Sequence, residues 1–361
     1  MSRIIQTAIE VVELPLSTPF HTSLRSAYSV TDIRVIIGTD DGILGVGSAS
    51  PTAKITGETT QSITAALSDF VLPAIQAPDL DLEDEITVFE AIQKSVVLNN
   101  GAKAAVDIAL HDLCAKRRAV SLAQYLNRRD LSELETDVTV SLNTPSAMEK
   151  QALEWVRAGF SSLKIKLGGR DDRDIERVQR IREALGTEMV LRVDANQAWS
   201  VKESLETIDK LAALGVEFVE QPVYRKDLLG LREVTRHSVL PIAADESIFD
   251  AYDLNHVLYL QAANIINLKL MKTGGLYPAI KMIETIKEAG LDWMVGSMME
   301  GPASVTAAAA LSAAFDSRYK DLDAAYFLGS QQARGGPEYR DGKLMFPGGT
   351  GLGVSFADVP N

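Results

Sequence analysis

The sequence predicts an α/β fold: a (β/α)8-type barrel preceded by a smaller α+β domain. Three observations predict it. From about residue 136 onward, short apolar strands alternate with amphipathic helices, and eight strand candidates recur roughly every 25 residues, the pitch of βα units in such a barrel. Residues 1–60 instead read as strands and turns, and 60–117 switch to helical spacing, an α+β block. The 361 residues are also enough for a barrel with an attached smaller domain.

In chain order, "IIQTAIEVVELPL" and "DIRVIIGTDDGILGVGSAS" are β-branched runs, the second broken by the hairpin signal Asp41-Gly42. The helical stretch that follows ends in "GAKAAVDIALHDLCAKR". Barrel strands are expected at 137–142, 162–167, 189–194, 216–220, 241–245, 264–269, 293–297 and 321–328. Helix punctuation supports the alternation. Thr144 is an N-cap with Pro145 at the first helical position, Ser200 and Glu203 have capping-box spacing, and Gly159, Gly215 and Gly290 stand where helices end. The tail from about 330 is rich in Gly and Pro and is expected to return to the first domain as a hairpin.

Composition removes several function classes. A net charge of −13 argues against nucleic acid and anionic membrane as partners, since both require a basic face. Cys114 is the single cysteine, which excludes an intramolecular disulfide and points to a reducing cytosol. His21, His111, His237 and His256 match no histidine-based metal spacing. "MSRIIQ" runs straight into strand-like sequence, so no export signal is expected. The run at 304–315 is too short to span a bilayer and reads as a buried Ala-rich helix.

The chemistry sits where strands end. "SSLKIKLGG" aims Lys164 and Lys166 to one side of a strand and Leu163, Ile165 and Leu167 to the other. "LRVDANQ" ends at Asp194, "VEFVEQP" at Glu220, "PIAADES" at Asp245 and "NIINLKL" at Lys269. In a barrel the C-terminal strand ends converge on one mouth, where active sites form. Three carboxylates without His or Cys suit Mg²⁺ better than zinc. Taken singly, Lys-x-Lys reads as a solvated strand face and Asp after a strand as a helix cap. Three acids and three lysines phased together at strand ends do not.

These segments, "LKIKLGG", "LRVDANQAW", "VEQPV", "ADES", "INLKLMKTGG", "GSMMEG" and "DLDAAYFL", with "PFHTSLRSAYS" and "ASPTAKITGET" before them, resemble the enolase superfamily in its muconate-lactonizing-enzyme-like subgroup, and within it the dipeptide epimerases. The resemblance implies an α+β cap from residues 1–125, completed by a C-terminal segment 330–361. The cap closes over a barrel at 126–329 in (β/α)8 or modified (β/α)7β form, with segments 19–29 and 49–59 over its mouth. It assigns Mg²⁺ to Asp194, Glu220 and Asp245, acid/base catalysis to Lys166 and Lys269 on opposite faces of the substrate, and support of Lys166 to Lys164. Glu246 and Asn196 are expected to orient these groups from behind, the alternative being that they only cap helices. Mg²⁺ on the substrate carboxylate stabilises the enediolate that forms when the α-proton leaves. A lysine base must also be neutral, which calls for its pKa to fall from about 10.4 toward about 7–8.

"KDLDAAYFL" separates the reactions within the subgroup. Asp321 and Asp323, read as two apart on a strand and both facing the mouth, suit a substrate ammonium, and the implied substrate is a small dipeptide. An N-acylamino-acid racemase or o-succinylbenzoate synthase is the alternative enzyme, and a barrel that binds Mg²⁺ and peptide without turnover the alternative outside enzymes. Ser297 and Met298 are further expected substrate contacts. Arg25 either pairs with a Glu side chain of the substrate or only orders its loop. Gly301-Pro302 departs from the Ala-Glu pattern and is expected to reshape the pocket wall. A homo-oligomer is left open.

Overall fold

The structure is a computed structural model that describes residues 3–78, 80–127 and 132–356. The β-branched start folds as an antiparallel meander of β1 (Ile4–His21), β2 (Ser26–Thr39) and β3 (Leu44–Ala49). The Asp41-Gly42 signal makes the β2–β3 turn, where Gly42 takes φ +82° and its N–H donates to Thr39 O at 2.9 Å. β3 lies directly on the backbone of the helix Asn100–Arg117. A Cβ at Gly45 would stand 2.2 Å from Ala109 O, and one at Gly47 2.1 Å from Ala105 O. Glycine at both positions permits the contact that buries this helix along most of its length.

After β4 (Glu133–Glu135) come eight parallel strands, each hydrogen-bonded to the next in sequence. They are β5 (Val138–Val140), β6 (Ser162–Lys166), β7 (Val190–Asp194), β8 (Val216–Glu220), β9 (Ile242–Ala244), β10 (Ile265–Leu268), β11 (Asp292–Gly296) and β12 (Tyr319–Asp321). Asp137 N–H on Lys320 O at 3.1 Å and Leu322 N–H on the Thr136 hydroxyl at 2.9 Å join the last strand to the first. Helices follow the first seven strands, but β12 runs into a 3₁₀ turn, Ala324–Phe327, so the barrel is (β/α)7β. The eighth strand is thus 319–321 rather than 321–328, because the apolar run "AAYFL" packs as a turn. Helix starts follow the sequence signals. Thr144 caps Ala147 N–H at 3.4 Å, and Ser200 and Glu203 form the reciprocal capping box at 3.2 and 2.7 Å.

The tail holds β13 (Ala333–Gly335), β14 (Glu338–Arg340), β15 (Lys343–Met345) and β16 (Val354–Phe356). Its hairpin β14–β15 adds to β4, and β13 pairs with β16. The tail also reaches the N-terminal block: Gly329 N–H donates to Pro15 O at 2.8 Å, and Arg34 donates to Gln331 O at 3.1 Å. Segments 19–29 and 49–59 both lie on the C-terminal mouth of the barrel. Ser23 Oγ donates to Ala195 O and Asn196 O, each at 3.3 Å, and Arg225 donates to Ile55 O at 3.3 Å. Among the described residues no helix is long and apolar enough to cross a membrane.

Two buried aspartates on the helix Asn100–Arg117 tie these parts together by accepting backbone N–H groups. Asp112 takes Val46 N–H at 2.8 Å and Leu352 N–H at 2.7 Å. Asp107 takes Leu276 N–H at 2.6 Å and Tyr277 N–H at 3.3 Å, capping the barrel helix Leu276–Glu288, while His111 stands 3.1 Å from it. Asp107→Ala leaves the buried Leu276 N–H and the half-buried Tyr277 N–H without this acceptor, so it should cost about 2–4 kcal/mol. Chemical denaturation checks this, with Asp107→Asn, which keeps an acceptor oxygen, expected to lose less.

Candidate active site

The floor of the barrel generates the site. Phe218, Ala243, Ile265, Met294 and Tyr319 form a buried cluster of their own inside the ring of strands. Side chains on a strand return to the same face every second residue, so two positions further on each strand the interior receives Glu220, Asp245, Asn267, Gly296 and Asp321. Lys166, Asp194 and Glu220 are lateral neighbours in the strand register and share that layer. A layer of ionisable groups therefore rests on an apolar floor.

Position around the ring sorts these groups. β6 and β10 are four strands apart in a ring of eight, so Lys166 and Lys269, one residue past β10, enter from opposite sides. Asp194, Glu220 and Asp245 come from the ends of three consecutive strands centred on β8. Asp321 ends β12, four strands from β8. Asp323 lies just beyond β12, placed by the turn into the 3₁₀ segment rather than by strand alternation, and its carboxylate accepts Thr139 N–H at 2.6 Å. Two diameters cross here, lysine to lysine and acid group to acid group.

Because the groups are buried, they pair. Lys164 Nζ lies 2.7 Å from Glu220, 2.7 Å from Asp321 and 3.3 Å from Asp194. Lys166 Nζ meets the same Asp194 oxygen at 2.6 Å, and Lys269 meets Asp245 at 2.7 Å. Burial favours neutral Asp194 and Asp245, but the lysines outweigh it and hold both carboxyls below the usual range. Glu220 is pushed up to about 8 by burial, which the pull of Lys164 does not offset. Burial pushes Asp323 up to about 6, with Asp321 adding to it.

Burial likewise opposes charge on Lys164 and Lys269, yet the surrounding carboxylates raise both above the ordinary lysine value. This differs from the lowered lysine that base catalysis calls for. The reason is that these ammoniums supply the positive charge that Asp194, Glu220, Asp245 and Asp321 meet. A divalent cation on the same acids would take over that role and remove the cause of the elevation.

The donor set fits such a cation. It is made of oxygens alone, and Glu220 Oε2 is buried with no hydrogen bond, Lys164 lying near but off its line. As they stand the acids do not form a cage: among the described residues no group of three His, Cys, Asp or Glu side chains is arranged to hold a metal ion. The lysines lie between them.

Above this layer a pocket is lined by Lys166, Lys269, Asp321, Asp323, Asn196 and Thr139 from the barrel, by Ser297, Met298 and Met299 beyond β11, and by Phe20, Thr22, Arg25 and Ile55 from the N-terminal block. Arg25, Ser297 and Met298 thus line one pocket with Lys166 and Lys269. Gly301 and Pro302 are buried and do not line the pocket themselves; they follow directly on the wall residues Met298 and Met299. Glu246 sits behind the pocket and takes its hydrogen bond from Asn196, at 3.2 Å, rather than from Lys269. Sequence reasoning missed Lys272, whose Nζ clasps Asp245 from the opposite oxygen, and Asn267, which donates to Glu220 at 2.9 Å. The signal for Lys272 was its place one helical turn after Lys269 in "KLMKT".

Comparison with known proteins agrees with this geometry. Residues 147–359 match the Enolase C-terminal domain-like family, and residues 4–127 match the Mandelate racemase / muconate lactonizing enzyme N-terminal domain. The chain belongs to this enolase-superfamily family. It is 39% identical over 346 residues to the L-Ala-D/L-Glu epimerase of Clostridium acetobutylicum, covering 95% of this chain and 96% of that one. Among solved structures it is similar to a substrate-liganded L-Ala-D/L-Glu epimerase from Bacillus subtilis, with TM-score 0.95 and 38% identity over 99% of this chain and all of the other. It is also similar to a dipeptide epimerase from Enterococcus faecalis complexed with Mg and L-Leu-L-Tyr, with TM-score 0.93 and 36% identity over 98% and 99%.

Gly296 gives a direct check on how Lys269 is placed. A Cβ there would stand 2.9 Å from Lys269 Cε and 2.8 Å from Asn267 Oδ1. Gly296→Ala should displace the lysine and lower turnover by about tenfold or more, since small misplacements of reacting groups are costly. Steady-state kinetics beside a melting curve checks this, the fold being expected to survive.

Proposed function

We propose that this chain is a Mg²⁺-dependent dipeptide epimerase that works through two lysines. The observation that carries the reading is the crossing of two diameters at the barrel mouth. Asp194, Glu220 and Asp245 would hold Mg²⁺, which when bound supplies a Lewis acid to the substrate carboxylate as the α-proton leaves. Asp321 and Asp323, on the far side, would hold the N-terminal ammonium. Burial and the neighbouring Asp321 push the Asp323 carboxyl up, and an arriving ammonium would relieve it.

A dipeptide tethered at both ends along one diameter has its C-terminal α-carbon between Lys166 and Lys269 on the other. One lysine takes the α-proton from its face, and the other donates a proton to the opposite face. The product is the epimer. Lys164 and Lys166 both contact the same Asp194 oxygen, which sets a second ammonium beside Lys166. N-acylamino acids carry no ammonium for Asp321 and Asp323.

The side chain of the epimerised residue is read by the N-terminal block. Arg25 is half-buried in the pocket wall without an ion-pair partner among the described residues, and burial lowers its pKa. A carboxylate on the substrate would pair with it, which favours L,L-dipeptides with a C-terminal Glu. A cytosolic site of action rests on Cys114 being a single buried thiol.

Lys166→Ala and Lys269→Ala should each lower epimerisation by about 10²–10⁴-fold. Each should still exchange the α-proton of one epimer in D₂O, and the two variants should retain opposite epimers. Mass spectrometry on both epimers checks it, and a variant that epimerises at the normal rate removes that lysine from the mechanism. Excess EDTA should abolish turnover, with Mg²⁺ restoring it.

A further inference from the structure

Glu300 has no part in the chemistry above, yet it is a fully buried acid one residue beyond the pocket wall. Both of its oxygens are engaged locally. Oε1 accepts the backbone N–H of Met298 at 2.6 Å, and Oε2 accepts the hydroxyl of Ser304 in the helix Pro302–Phe315. Met298 and Met299 are themselves wall residues. The other end of the same turn is tied to the ammonium-side acid, since Ser297 N–H donates to Asp321 O at 3.0 Å.

The segment is also wedged against the N-terminal block. Gly301 abuts Asp32 of β2 so closely that a Cβ would stand 2.2 Å from its Oδ1. Asp32 is held in turn by Arg34 at 2.9 Å, and Arg34 by Gln331 O at 3.1 Å. The five residues 297–301 therefore have a fixed start, a fixed end and one internal clamp, and Glu300 is the clamp.

We propose that Glu300 is a positioning residue for substrate selection: by holding the Met298 N–H it fixes how Met298 and Met299 face the dipeptide. Without it, that buried N–H has no acceptor, and the turn must rotate to find one. Rotation carries two flexible thioether side chains with it and changes the shape of the wall. Burial pushes the Glu300 carboxyl up to about 7, with the hydrogen bonds from Ser304 and Met298 opposing, so Gln closely matches its neutral form.

The kinetic part of the test rests on the dipeptide-epimerase reading; the exchange part does not. Glu300→Ala should raise KM about tenfold while changing kcat less than about threefold. It should also compress the ratio of kcat/KM between L-Ala-L-Glu and L-Leu-L-Tyr by about fivefold or more. The Met298 amide, followed by hydrogen exchange with fragmentation mass spectrometry, should exchange about a hundredfold faster. Glu300→Gln should restore all three. Ser304→Ala, which frees one carboxyl oxygen, should show part of the KM rise and carries the test if Glu300→Ala does not fold. Unchanged selectivity and unchanged Met298 exchange in these variants would overturn the proposal, as would a loss of kcat with KM intact. A wild-type protein that turns over no dipeptide defeats the functional reading instead, and the exchange rates then decide the role of Glu300.

Discussion

A closed ring of parallel strands confines every second side chain, and the rest of this structure follows from that confinement. An inward lysine on β6 has nowhere to go except among side chains sent inward by the other strands. The apolar floor of Phe218, Ile265, Met294 and Tyr319 keeps water from below, and segments 19–29 and 49–59 restrict it from above. Charges placed between them must find one another, because an unpaired buried charge costs several kcal/mol. Lys164, held among Glu220, Asp321 and Asp194, is the point at which both acid groups meet.

That pairing also explains why the arrangement is suited to chemistry and not merely to stability. A hydrophobic layer of the same volume would stabilise a barrel at least as well. Ionisable groups here are instead sorted by sign around the ring, with lysines on one diameter and acids on the other. Binding a cation at one acid group and an ammonium at the other would relieve the repulsion among the carboxylates. It would also release the lysines from their ion pairs. Substrate and metal would thus complete a charge pattern that the strands impose.

Much of this was legible in the sequence, for identifiable reasons. Lys164 and Lys166 follow from the two-residue period of a strand, Asp194 and Glu220 from acids that end apolar runs, and the helix starts from Thr144 and Ser200. Those are local rules. Asp323 was placed by alternation, whereas the strand ends at Asp321 and a 3₁₀ turn delivers Asp323. Lys272 escaped because it depends on a single helical turn after the strand. The roles of Asp107 and Asp112 were illegible for another reason. Their partners at Leu276 and Leu352 are 169 and 240 residues away, and no local pattern encodes such contacts. The packing of Gly301 on Asp32 of β2 was illegible for the same reason, since 269 residues separate them.

A substrate held at both ends, with its ammonium on Asp321 and Asp323, would be sensitive to any change at that ammonium. The most direct measurement compares kcat/KM for an L,L-dipeptide and for the same dipeptide acetylated at its N-terminus. Losing a charged partner from a buried pair of acids should cost about 3 kcal/mol or more, so acetylation should lower kcat/KM by about a hundredfold or more. An acetylated dipeptide turned over as well as the free one would contradict the account.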